Sequence, residues 1–153
     1  MTTQAEVAEI LIISLAGEKF ALPADIVLEI LDPGPVTPIP TAPEFVANLV
    51  NFRGRVVPLA NLCRRCGLPT SQQTPDTRIV VLEIEFEEVP TLVAILADKV
   101  YGVSQLDRVI ADQVPRLGTR WRPEFVKAIG RRQDEFVMIL DIGRIFAPAD
   151  LVV

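Results

Sequence analysis

Between Asp32 and Phe45 the sequence reads DPGPVTPIPTAPEF, with Pro33, Pro35, Pro38, Pro40 and Pro43 inside eleven residues. Each proline locks its own φ and removes a backbone donor, so this stretch is neither a helix nor a central strand. The apolar residues that remain between the prolines predict a stiff, ordered loop rather than a flexible linker. Whatever is built around it must be assembled from short elements.

The flanking segments fit that requirement. EILIISLAG (Glu9 to Gly17) and KFALP read as a hairpin turning at Gly17 and Glu18, and DIVLEIL (Asp25 to Leu31) reads as a strand covered on both faces over most of its length. FVANLVNF and RVVPL flank a turn at Arg53-Gly54, and ANLCRRCGL predicts a short helix stopped by Gly67. RIVVLEIEF, TLVAILADKV and a hairpin around Arg131 to Asp134 continue the pattern, with a last short helix from about Asp141. RVVPLANLCRR and EFVMILDIGRI share one plan: an apolar strand enters a short helix at Asn61 or Asp141, both good N-cap residues. Short strands with turn signals roughly every eight to twelve residues indicate small barrels or a sandwich. The expected fold is all-β: two small barrel lobes with short helices, in one domain over 9–149. The polar, proline-flanked PTSQQTPDT (Pro69 to Thr77) marks the expected lobe boundary, giving one lobe at about 15–75 and another at about 78–140 plus terminal segments.

Composition narrows the chemistry. The chain has 153 residues, 20 acids, 15 bases and no histidine. Half its residues are hydrophobic, enough for a sizeable core. A net charge of −5 with no basic stripe argues against nucleic acid. The apolar runs are far shorter than the roughly 18 residues of a spanning helix, and MTTQAEVAE has no signal-peptide character, so a soluble cytoplasmic protein without membrane insertion is expected. Lacking histidine, the chain also lacks the commonest general base and metal ligand. No Gly-rich phosphate loop, nucleophile elbow or metal-ligand spacing is present, so no catalytic residue, cofactor or metal is assigned. Cys63 and Cys66 form a lone C-x-x-C, read as a structural pair on a short helix, with a thiol redox switch as the alternative. Glu83 and Glu85 alternate with Leu82 and Ile84, which reads as a solvated strand face that also discourages edge-to-edge pairing.

Arg53 interrupts the apolar VNFRGRVVPLANL and has two readings. It is a turn residue pointing to water beside a glycine, or a guanidinium held between two strands and ready to grip a carboxylate. Glu29, alone on the apolar VLEIL, is its natural partner.

FALPADIVLEI, PEFVANLVNFRGRVVPLANL, RIVVLEI, LVAILADKVYGV and FVMILDIGRIF together resemble the CheW-like domain of bacterial chemosensory systems, in order from Leu11 to Phe146. The most specific element is N-x-R-G-x-x-x-P, here Asn51, Arg53, Gly54 and Pro58, supported by Val27, Glu29 and Ile30 and by Asp98 and Val100. The resemblance implies two SH3-like five-stranded barrels around a shared apolar core. It also implies a non-catalytic adaptor joining the cytoplasmic tip of methyl-accepting chemoreceptors to the regulatory domain of a CheA-type histidine kinase, with a helical receptor hairpin in the groove between the lobes. Those nine residues are the receptor- and kinase-binding set it implies. Asn48, Ala94 and Ala128 stand where glycine is usual, and the loop around Trp121 is unusually basic. Such departures point to a divergent member, of an alternative pathway not driving the flagellar motor; a CheW-like module of a larger regulator is a separate alternative, over which a stand-alone protein is favoured.

Overall fold

The computed structural model describes residues 9–34, 37–38, 48–69, 72–111 and 123–146. Most of the proline-rich loop and the basic loop around Trp121 lie outside these residues.

Among the described residues, twelve strands form two six-stranded sheets, accompanied by two short helices. The first sheet runs β3 (Val27–Leu31), β7 (Arg78–Phe86), β8 (Val89–Ala97), β6 (Arg55–Ala60), β5 (Asn48–Phe52) and β4 (Thr37–Pro38). The second runs β10 (Arg108–Ala111), β11 (Val126–Arg132), β12 (Glu135–Leu140), β2 (Glu18–Pro23), β1 (Glu9–Leu15) and β9 (Lys99–Gln105). Each holds one strand more than the five expected. In the first sheet β4 is only a two-residue bridge, and in the second β10 is a four-residue edge.

The lobe boundary is not at Pro69 to Thr77. Strands on both sides of that segment belong to the first sheet, because β6 lies parallel to β8, Leu59 opposite Ala94. The polar loop only carries the chain from α1 (Leu62–Cys66) to β7. The crossings fall at the 3-10 turn Ala24–Ile26 and at Asp98. The first two strands therefore join the last four, sealed by the parallel pair Met138 and Phe20.

Alternation along the central strands separates three apolar clusters. Val50, Phe52, Val57, Ile79 and Val81 fill the first barrel, and Ile10, Ile12, Ala21, Val137 and Ile139 fill the second. The intervening side chains, among them Leu11, Ile13, Phe20, Val80, Leu82 and Ile95, meet in one core shared by both sheets. This is why EILIISL and RIVVL are nearly continuous apolar runs: each face of the strand is buried in a different core.

The paired helices close the shared core. Asn61 Oδ1 accepts from Arg64 N at α1, and Asp141 Oδ1 accepts from Arg144 N at α2 (Ile142–Ile145). Gly67 ends α1 at φ 81°, the left-handed stop. Arg65 ties the helices together, its Nε donating to Ile145 O and its guanidinium lying 4.6 Å from the Phe125 ring centre. Cys63 and Cys66 are buried in the shared core without a disulfide between them. Ala94 and Ala128 are buried strand residues outside the left-handed region, so their methyl groups pack into the barrels without strain; Asn48 is likewise ordinary strand backbone.

Candidate functional site

Arg53 stands on a two-residue hairpin turn between β5 and β6. Phe52 pairs with Arg55, and the two turn residues have φ of 53° (Arg53) and 79° (Gly54). Both signs match the twist of the flanking strands, the geometry for which glycine is favoured at the second place. Asn51 locks the turn: its Oδ1 accepts from Gly54 N at 2.9 Å. Pro58 is half-buried on β6, opposite Leu49. Three of the four N-x-R-G-x-x-x-P residues thus build the hairpin, and Arg53 is what it displays.

The partner carboxylate arrives through a bulge. On β3, Val27 pairs with Leu82 and Glu29 with Val81, leaving Leu28 unpaired between them. Val27 accordingly shares a face with Leu82 and packs on the shared core, whereas Glu29 shares a face with Val81 of the first barrel. An unbulged strand would put both on one side; the extra residue turns Glu29 towards Arg53. Glu29 Oε1 accepts from Arg53 Nη2, and the guanidinium also lies 4.9 Å from the Phe52 ring centre. The ion pair ties β3, one edge of the first sheet, to the β5–β6 hairpin near the other edge. The arginine side chain nevertheless remains 72% exposed, leaving donors for a second acceptor.

Exposed apolar residues neighbour Glu29 along β3 and follow Arg53 on β6. Leu28 is 47% exposed, Ile30 40% and Val56 72%. The strand is not covered on both faces as expected: its residues alternate between half-buried and exposed, and among the described residues β3 is an edge paired only with β7. Leu28 and Val56 were not singled out from sequence. Their signal was a leucine and a valine next to the only charges on otherwise apolar strands. A cavity of about 640 Å³ is lined by Leu31, Leu49, Asn51, Val56 and Ile79 among others; Arg53 and Glu29 are not in its lining.

Asp98 and Val100 lie elsewhere. Asp98 occupies the crossing between sheets, where its Oδ2 accepts from Ala16 N at 2.7 Å and its own N donates to Ser14 O. It anchors the β1–β2 turn to the chain's passage. Val100 packs against the shared core. Sequence reasoning put these two with the binding residues; the structure places both, half-buried, away from the Arg53–Glu29 pair.

A groove of about 400 Å³ runs between the sheets, with Ile84 and Pro90 on one side and Leu140 and Ile142 on the other. Among the described residues no helix is long and apolar enough to cross a membrane.

Two small barrels fused through one core, with an arginine displayed on a locked hairpin, define the class of two-lobed SH3-like modules. Comparison with known proteins narrows the class. The CheW-like domain family matches residues 9–149, and the chain belongs to that family. A chemotaxis protein CheW from Helicobacter pylori is 27% identical over 140 residues, 92% of this chain and 82% of the relative. One from Thermotoga maritima is 28% identical over 142 residues, 90% of this chain and 86% of the relative. The crystal structure of the scaffolding protein TtCheW from Thermoanaerobacter tengcongensis superposes with a TM-score of 0.77 at 25% identity, over 95% of this chain and 92% of that one.

Proposed function

We propose that this protein is a non-catalytic cytoplasmic adaptor that couples a methyl-accepting chemoreceptor to a CheA-type histidine kinase. The observation that carries the reading is Arg53. The backbone holds it in a left-handed turn, Glu29 and Phe52 steady it, and most of the guanidinium still faces outwards. An interface built this way has a preorganised charged anchor with exposed apolar residues beside it, the pattern of a binding hot spot. Membership of the CheW-like family and likeness to a scaffolding protein support the adaptor role. The absence of histidine from the sequence agrees with a protein that assembles others and does no chemistry itself. Val27, Glu29, Ile30, Asn51, Arg53, Gly54 and Pro58 form or support the surface. Asp98 and Val100 contribute by holding the lobes in register. The receptor hairpin docks in the inter-lobe groove, and the regulatory domain of the kinase takes the barrel surfaces.

Reconstitution tests this. Purified protein is mixed with the kinase regulatory domain and a soluble receptor hairpin fragment from the same genome, and complexes are separated by size. A ternary complex that forms only when this protein is present is the expected result. Failure to bind either component alone would refute the proposal.

A further inference from the structure

Three residues on the outer face of the second barrel form a row across three strands. Arg108 on β10 pairs with Arg131 on β11, and Arg131 pairs with Phe136 on β12. Their neighbours Gly130 and Val137 face the barrel interior, where Gly130 lies against Leu106 and Ile139, so alternation turns the row outwards. Like charges directly opposite each other across a sheet are destabilising, and little within the chain offsets this pair. Arg108 is exposed and makes no hydrogen bond or ion pair among the described residues. Arg131 donates from Nε to Gln133 O, and its Nη2 lies 3.9 Å from Asp134, whose side chain is fully exposed. Phe136, at the end of the row, is 64% exposed, the most exposed aromatic ring among the described residues. Arginine and aromatic side chains are the types enriched where proteins meet. In a chain with a net charge of −5, the pair is a local cationic spot beside an uncovered ring.

The spacing selects an occupant. Neighbouring strands lie about 4.8 Å apart, so the midpoint of the arginine pair is about 7 Å from Phe136. An extended chain advances about 3.4 Å per residue and turns side chains i and i+2 to one side, so residues two apart also span about 7 Å. Two guanidinium forks from adjacent strands can grip one carboxylate between them. We infer that this row binds an extended acidic segment of another protein, with a carboxylate between Arg108 and Arg131 and an apolar side chain two residues away over Phe136. Binding relieves the repulsion that the free protein bears, which is the source of the preference for an acid at that position. The row shares no residue with the Arg53–Glu29 pair or with the lining of the groove between the sheets, so the inference stands apart from the adaptor reading.

The probe is a short, end-blocked, threonine-rich peptide with glutamate and phenylalanine two residues apart, and its control has glutamine in place of that glutamate. Each is titrated into isotope-labelled full-length protein while amide shifts are followed by NMR. The glutamate peptide is expected to move the amides of Arg108, Arg131 and Phe136 and to bind about tenfold more tightly than the glutamine peptide. Arg108→Glu separates a pair kept for binding from one merely tolerated, because it turns a like-charge pair into an opposite-charge pair. That variant is expected to lose the preference for the glutamate peptide and to melt at a higher temperature than the wild type. Equal binding of the two peptides by the wild type, binding of neither, shifts confined to other surfaces, or a variant that melts no higher would each overturn the inference. Two further arms address other occupants, and neither is expected to give a signal. Cosedimentation with phosphatidylglycerol vesicles that Arg108→Glu abolishes would make the occupant a membrane, and self-association that Arg108→Glu abolishes would make it a second copy; either result overturns the inference. If the ternary complex with receptor hairpin and kinase domain fails to form while the peptides behave as stated, the adaptor role is wrong and the acidic-segment site stands.

Discussion

Two hairpin turns of this protein have nearly the same backbone and opposite chemistry. Arg53-Gly54 joins β5 to β6 with φ of 53° and 79°; Glu87-Glu88 joins β7 to β8 with φ of 53° and 67°. The first has glycine where the left-handed conformation is hardest on a side chain, a neighbouring asparagine that accepts from the turn, and a carboxylate waiting for its arginine. The second has no glycine and two adjacent like charges. A left-handed residue is therefore no sign of function in this molecule. The same conformation is a by-product of tight β-pairing in one turn and a mount for a displayed side chain in the other, and only the surroundings tell them apart.

The contrast can be broken most sharply at Arg53. Replacing an interface arginine costs about 2 kcal/mol or more in binding, about thirtyfold in affinity. The ion pair it makes is exposed and contributes only about 0–1 kcal/mol to folding. Arg53→Ala is thus expected to weaken binding to the receptor hairpin or kinase regulatory domain, by calorimetry, while its melting temperature barely moves. A sharp fall in melting temperature with unchanged affinity would make Arg53 structural, like the glutamates of the other turn.

Gly54→Ala comes next. An added methyl group meets nothing within 4 Å, so the effect is purely conformational. A side chain in the left-handed region costs roughly 1–2 kcal/mol, and chemical denaturation should show that loss. Glu88→Gly makes the opposite change in the opposite turn and is expected to raise stability by about 1 kcal/mol or less, because relief of strain is partly offset by a freer unfolded chain. If Glu88→Gly is instead destabilising, that turn has contacts that set it apart for another reason. The smallest effect is expected from Asn51→Ala, about 0.5–1 kcal/mol for one solvent-exposed hydrogen bond. Amide exchange at Gly54 should quicken while exchange at Glu88 stays as it was.

Much of the fold was legible because the signals were local. Asn61 and Asp141 announced two short helices, and turn residues announced the hairpins. What stayed hidden was partnership between distant segments. An apolar run such as Ile79 to Leu82 looks the same whichever sheet receives it, so PTSQQTPDT passed for a boundary when it was a loop within one barrel. The N-x-R-G motif was visible and so was Glu29. The bulge at Leu28 that turns Glu29 to Arg53 was not, because a bulge depends on register with β7 and leaves no mark in composition. Asp98 was grouped with the binding residues because its pattern was recognisable. Its bond to Ala16 spans 82 positions, beyond the reach of any local reading.

The interleaving of the chain through its two sheets also sets a timetable for synthesis. The first barrel is complete within residues 27–97, whereas the second needs β1 and β2 from the start of the chain and β9 to β12 from after it. Sheet pairing over such separations is slow, and domains generally fold as they emerge. On a ribosome stalled shortly after residue 97 clears the exit, a protease is expected to spare 27–97 and to cut at 9–23. Uniform protection of both segments would contradict this order. The hairpin that is made first is the last to be sheltered, and for the interval between, its row of isoleucines and leucines is the nascent chain's most exposed liability.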